Sequence, residues 1–149
     1  LGKAYGKTAG GHNMTSSDIS SIFGEMIYSY TREQAIDDGV LIPVDEKICR
    51  EAGIRLPVCV TAHLWTLIHP ENLNKMPTQS VEGRLWDLLW LFTLSAKQNG
   101  SSSRLSYPCR FMVRKNGCPE RIEEYSIVAV CGPGDSGEPV LTLMLPEDD

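Results

Sequence analysis

A chain of 149 residues with 42% apolar and 22% charged side chains has the composition of one folded domain, not of a disordered segment or a multidomain enzyme. A domain this size buries enough surface to need neither disulfides nor a structural metal. The formal charge of −5 argues against a non-specific binder of phosphate backbone.

The first thirteen residues, LGKAYGKTAGGHN, carry four glycines, two lysines, no acid and no apolar run, so they form neither a secretory signal nor a membrane anchor. They are expected to be a vector-derived leader or a flexible arm, with residues 14–149 as a single α+β domain. Without that segment the basic residues fall from 14 to 12 while the acids stay at 19, giving −7. In residues 15–24, Ile19, Ile22 and Phe23 follow cap-type residues at helical spacing. Residues 25–30 (EMIYSY) are expected to be extended. Thr31 and Gln34 form a T-x-x-Q capping box for a short helix that Gly39 stops.

VLIPV (Val40–Val44) reads as a short strand that Pro43 confines to an edge or an end. Asp45 opens a second helix, with Val44, Ile48 and Ala52 on one face and Gly53 after it. Leu56–Val60 is a further strand-like run, and Thr61 is positioned to cap a helix through Ile68. After a loop over residues 70–80, Ser80 caps the longest helical segment, about Val81 to Gln98. Its acids, Glu82 and Asp87, lie early and Lys97 late, as the helix dipole favours. Leu85, Leu88, Leu89, Phe92 and Ala96 form one face, and Trp86, Trp90, Leu91 and Leu94 cover much of the rest. Such a helix is expected to be central, sandwiched between layers.

Beyond NGSSS (Asn99–Ser103) the period changes from helical to alternating. Tyr107, Cys109, Phe111 and Val113 mark a half-buried strand, Asn116-Gly117 a hairpin turn, and Arg121–Cys131 and Val140–Leu145 two more strands. The expected fold is α+β: a helical N-terminal half whose central apolar helix packs on a C-terminal antiparallel sheet of three or four strands. The five cysteines, Cys49, Cys59, Cys109, Cys118 and Cys131, are an odd set without a CxxC pair. They point to free thiols in a reducing, cytoplasmic compartment.

Three constellations invite a chemical reading. GDSGEP (Gly134–Pro139) is close to the motif around the nucleophile of chymotrypsin-like proteases, and His63, Asp87 and Ser136 follow their order. That fold needs two β-barrels, however; the middle of this chain is helical, Asp87 has Arg84 one turn away as a partner, and Glu138 replaces the second glycine. A hydrolase built on the turn over residues 132–139 is therefore the alternative, not the preferred reading. Cys59, His63 and His69 match no zinc spacing, leaving a metal-stabilised regulator as a further alternative. The glycine-rich turn has the backbone freedom to cradle a phosphate, yet Asp135 and Glu138 repel anions, and a tight strand connection is the simpler account. Its acids suit a basic partner better. Tyr28, Tyr30 and Arg32 form a polar-aromatic cluster of the kind found at binding hot spots. Glu123-Glu124 and the acidic tail Glu147–Asp149 read as solvated surface. The expected site is thus a partner-binding one, Tyr28, Tyr30, Arg32, Asp135 and Glu138, with no catalytic set, no metal and no cofactor.

The stretches IYSYTREQAIDDGVL (Ile27–Leu41), GRLWDLLW (Gly83–Trp90) and CGPGDSGEPVLTLMLP (Cys131–Pro146) resemble a family of small uncharacterised proteins of bacteriophages, plasmids and other mobile elements. The resemblance spans about Ile22 to Pro146 and carries no assigned chemistry. It implies an accessory protein that binds a host or mobile-element protein, with inhibition of a nucleic-acid-targeting defence complex such as a CRISPR effector as its sharpest form. Effector channels that hold nucleic acid are positive, and an acidic surface suits one.

Overall fold

The computed structural model describes residues 30–149 except residue 101. Tyr28, the helix expected over residues 15–24, the start of the 25–30 run and residues 1–13 lie outside the described residues.

Helix α1 (Arg32–Asp37) begins at the expected capping box: Thr31 Oγ1 accepts from Gln34 N at 3.0 Å, and Thr31 N donates to Gln34 Oε1 at 2.8 Å. After β1 (Leu41–Pro43), Asp45 caps α2 (Glu46–Glu51) through Lys47 N. Strand β2 (Val58–Thr61) runs directly into α3 (Ala62–Ile68), because Thr61 ends the strand and caps the helix through Leu64 N. A 3-10 turn (Leu73–Lys75) leads to α4 (Val81–Asn99), which Ser80 caps through Gly83 N. Strands β3 (Arg104–Val113), β4 (Arg121–Pro133) and β5 (Pro139–Met144) follow, then a 3-10 turn at Pro146–Asp148. Among the described residues no helix is long and apolar enough to cross a membrane.

The α+β assignment holds, but the sheet differs from expectation. It has five strands in the order β1-β2-β5-β4-β3 and is mixed, because β2 lies parallel to β5 while the other pairs are antiparallel. The helical half thus contributes two strands. Val58, Cys59 and Val60 are all buried, as befits an inner strand covered on both faces. The register Val58↔Leu141 and Val60↔Leu143 joins segments more than eighty residues apart in sequence. Local periodicity marks β2 as a strand but carries no information about that pairing.

One sheet face supplies Val58, Val60, Leu141, Leu143, Ile127, Ala129, Tyr107, Cys109 and Phe111 to the core, against Leu64 and Ile68 of α3 and Leu85, Leu88 and Leu89 of α4. Cys49, Ala52 and Ile54 extend the same core at α2. The Tyr107 hydroxyl donates to Leu88 O at 2.9 Å, tying strand to helix. Helix α4 is not sandwiched as expected: Trp90 and Leu94 are 40% and 39% exposed. Trp86 and Trp90, one turn apart, stack with ring centres 5.8 Å apart, so each shelters the other instead of entering a second layer.

Arg84 also departs from expectation. It does not pair with Asp87; it is buried, with Nη1 donating to Leu67 O at 2.7 Å and Nη2 to Met112 O at 2.5 Å. Its guanidinium lies over Phe111, 5.6 Å from the ring centre. One side chain thereby satisfies an orphan carbonyl in the last turn of α3 and a carbonyl of edge strand β3. Asn72 Nδ2 does the same for Arg114 O, and Pro108 removes a donor from the middle of that edge.

A groove at the end of the sheet as candidate binding site

The glycine-rich turn acts chiefly on α1. Asp135 Oδ1 accepts from Arg32 N at 2.8 Å and Oδ2 from Glu33 N at 3.0 Å, so its carboxylate holds the two amides that the Thr31 box leaves free. The turn is closed on itself. Gly134 N donates to Glu138 O at 2.6 Å, Gly137 N to Gly134 O at 3.0 Å, and Ser136 N to Glu138 Oε2 at 3.0 Å. Gly134 leaves room for the folded-back Glu138 carboxylate, and Gly137 supplies φ of +85°. With those amides engaged, the turn does not cradle an anion.

Arg32 completes the attachment. Its Nη1 donates to Thr142 Oγ1 at 2.8 Å and Nη2 to Leu141 O at 3.0 Å, pinning α1 to β5 on the face opposite α4. Buried Cys59 lies beside it on the neighbouring strand. Burial raises that thiol's pKa, and the Arg32 cation opposes the rise in part. Tyr30 donates to Asp38 Oδ2 at 3.0 Å, bridging the two ends of α1.

Between α1 and α2, where β1 ends and β2 and β5 begin, lies a groove of about 460 Å³. Its floor is apolar, with Ile36, Val44, Ile54, Leu56, Val58 and Val140. Its rim carries Glu33, Glu46, Asp135 and Glu138 against Arg32 and Arg55. Three of the residues expected to contact a partner, Arg32, Asp135 and Glu138, therefore meet here, while Tyr30 stands outside the lining. Arg32 and Asp135 build the wall more than they offer free groups. The sequence marks floor residue Leu56 only as the start of a strand-like run, which in the structure begins at Val58, and it marks Ile54 and rim residue Arg55 by nothing beyond the Gly53 break before them.

The other constellations do not assemble. The parallel register of β2 and β5 puts His63, just past the end of β2, at the end of β5 away from Ser136. His63 Nδ1 instead lies 3.2 Å from Asp148 Oδ1, and Asp148 Oδ2 accepts from Thr61 Oγ1 at 2.7 Å. His69 stacks on Trp65 with centres 6.0 Å apart. Cys59, His63 and His69 thus have separate surroundings, and among the described residues no three His, Cys, Asp or Glu side chains gather as metal ligands.

Two expected results follow from this geometry. Asp135→Ala should cost about 1–2 kcal/mol and speed amide exchange through α1, measurable by denaturant unfolding and hydrogen exchange. Unchanged exchange in α1 would show that the carboxylate does not hold the helix. Among the cysteines, exposed Cys118 should react first with a disulfide reagent, and buried Cys49, Cys59 and Cys109 only as the protein unfolds. Peptide mapping of the modified thiols checks that order.

The architecture defines a small α+β domain with an apolar-floored, acid-rimmed groove. The chain belongs to a family of unknown function (DUF6573), whose profile matches residues 21–149. Neither the curated proteins nor the solved structures gave a match.

Proposed function

We propose that this is a small acidic accessory protein of a phage or other mobile element, acting in the bacterial cytoplasm by binding another protein. The groove between α1 and α2 is its contact surface. The single observation that carries this reading is the groove's composition: an apolar floor inside a charged rim, the anatomy of a protein contact. Four acids and two arginines line it, and Arg32 is committed to β5. The complementary occupant is a protein segment carrying apolar side chains and a basic residue. A host nucleic-acid-targeting defence complex, whose channels are basic, offers such segments, and inhibition of one is the specific form of the proposal.

Tagged protein purified from its host should bring down one stoichiometric protein partner. The double reversal Glu33→Lys/Glu46→Lys changes exposed rim charges and leaves the core intact; it should weaken capture at least about tenfold, whereas Lys97→Glu on α4 should not. Recovery of no partner, or equal capture by the rim variant, would contradict the proposal.

A further inference from the structure

A second concavity, of about 790 Å³, lies away from the groove, between the end of α3, the segment over residues 70–75 and the tip of the β3–β4 hairpin. Its charge is the reverse of the chain's. Lys75, Arg114 and Lys115 line it together with His69 and Asn116, and Glu71 is the one acid in the lining. Among the described residues none of those three cations forms an ion pair, although Arg50, Arg104, Arg110 and Arg121 all do. Among the described residues, three cations of an acidic protein thus surround one hollow without a carboxylate partner.

The hollow is also braced. Asn72 Nδ2 donates to Arg114 O at 2.6 Å, and Arg114 Nη1 donates to Lys75 O at 3.1 Å. These reciprocal bonds fasten the 3-10 turn to the end of β3. They hold the Arg114 guanidinium in place through one N–H, and among the described residues its other donors are not engaged. A positioned guanidinium flanked by two ammonium groups matches the oxygens of a phosphate group, which accepts several charge-assisted bonds at once.

We infer that this concavity is a phosphate-binding site, with Arg114 as the oriented donor and Lys75 and Lys115 as point charges. The site is independent of the groove and of the partner-binding proposal.

Calorimetric titration of the full chain at low salt tests the inference, with inorganic pyrophosphate in one arm and a short single-stranded oligonucleotide in the other. Saturable one-to-one binding is expected in at least one arm. The stronger arm identifies the source, a small phosphate ligand or a phosphodiester. Lys75→Gln/Lys115→Gln replaces two exposed side chains and should weaken binding at least about tenfold. Amide NMR shifts on titration should centre on residues 69–75 and 114–116. Absence of saturable binding in both arms overturns the inference, and so does binding that the double variant leaves unchanged.

Discussion

Arg84→Ala is expected to destabilise the fold by about 3–4 kcal/mol, because it opens a core cavity and strips two carbonyls of their donors at once. The wild-type side chain is 4% exposed, and burial lowers the pKa of its guanidinium. Its charge is therefore costly to bury, and among the described residues Nε has no hydrogen-bond partner. What offsets that cost is the pair of bonds to Leu67 O and Met112 O, together with the Phe111 ring beneath. Arg84→Met separates the contributions. It fills the volume and removes the charge, so its loss of about 1–3 kcal/mol should reflect the two orphaned carbonyls. Urea unfolding should show lower midpoints with unchanged slopes. A loss below about 1 kcal/mol in Arg84→Ala would mean that water replaces the guanidinium freely.

The second large effect is alkaline. Burial, reinforced by Asp45 and Glu46, pushes the Cys49 thiol from 9.0 up to about 11. Burial, reinforced by Asp87, pushes Cys109 from 9.0 up to about 12. Both groups bind their proton more tightly in the folded state. Below pH 9 folded and unfolded chains are equally protonated at these thiols, and stability is unaffected. Above pH 9 the unfolded chain loses protons that the folded chain keeps, so stability falls as pH rises toward 11 for Cys49 and 12 for Cys109. Each thiol contributes up to about 1.4 kcal/mol of loss per pH unit, a combined effect on the order of 5 kcal/mol by pH 11. Buried Tyr107, whose phenol is raised well above 10.0, acts in the same direction at the top of that range. Unfolding free energies between pH 8 and 11 should therefore decline steeply, and Cys49→Ala/Cys109→Ala should flatten the decline. An equal slope in the double variant would assign the pH dependence to other groups.

Features governed by local chemistry were legible in the sequence. Thr31 with Gln34, Asp45, Thr61 and Ser80 are cap residues whose partners lie two or three positions away, and each helix starts where they place it. The alternation of Tyr107, Cys109 and Phe111 likewise shows which face of β3 is buried. What depends on distant partners was not legible. Nothing near Val58 says that its neighbour is Leu141, so local periodicity points to a smaller antiparallel sheet than the mixed five-stranded one that forms. Arg84 had an acid one turn away, yet the open carbonyls of Leu67 and Met112 claimed it because its side chain points inward.

The candidate site divides along the same line. Arg32, Asp135 and Glu138 stood out by residue type and do meet at the groove. Their types did not reveal that Asp135 caps a helix more than a hundred residues earlier in sequence, or that Arg32 is fastened to β5. The protease-like string GDSGEP shows the difference between motif and environment. Its glycines and acids fold into a turn that holds α1, and the histidine that a hydrolase would need lies at the other end of β5.

Site-specific photo-crosslinking in the host asks whether the groove between α1 and α2 receives a segment of another protein. A photoreactive amino acid replaces Arg55 at the rim or, as control, Lys97 on the exposed part of α4. One discrete protein adduct is expected from position 55, suppressed by Glu33→Lys/Glu46→Lys, and none from position 97. No adduct from position 55, or the same adduct from both positions, would contradict it.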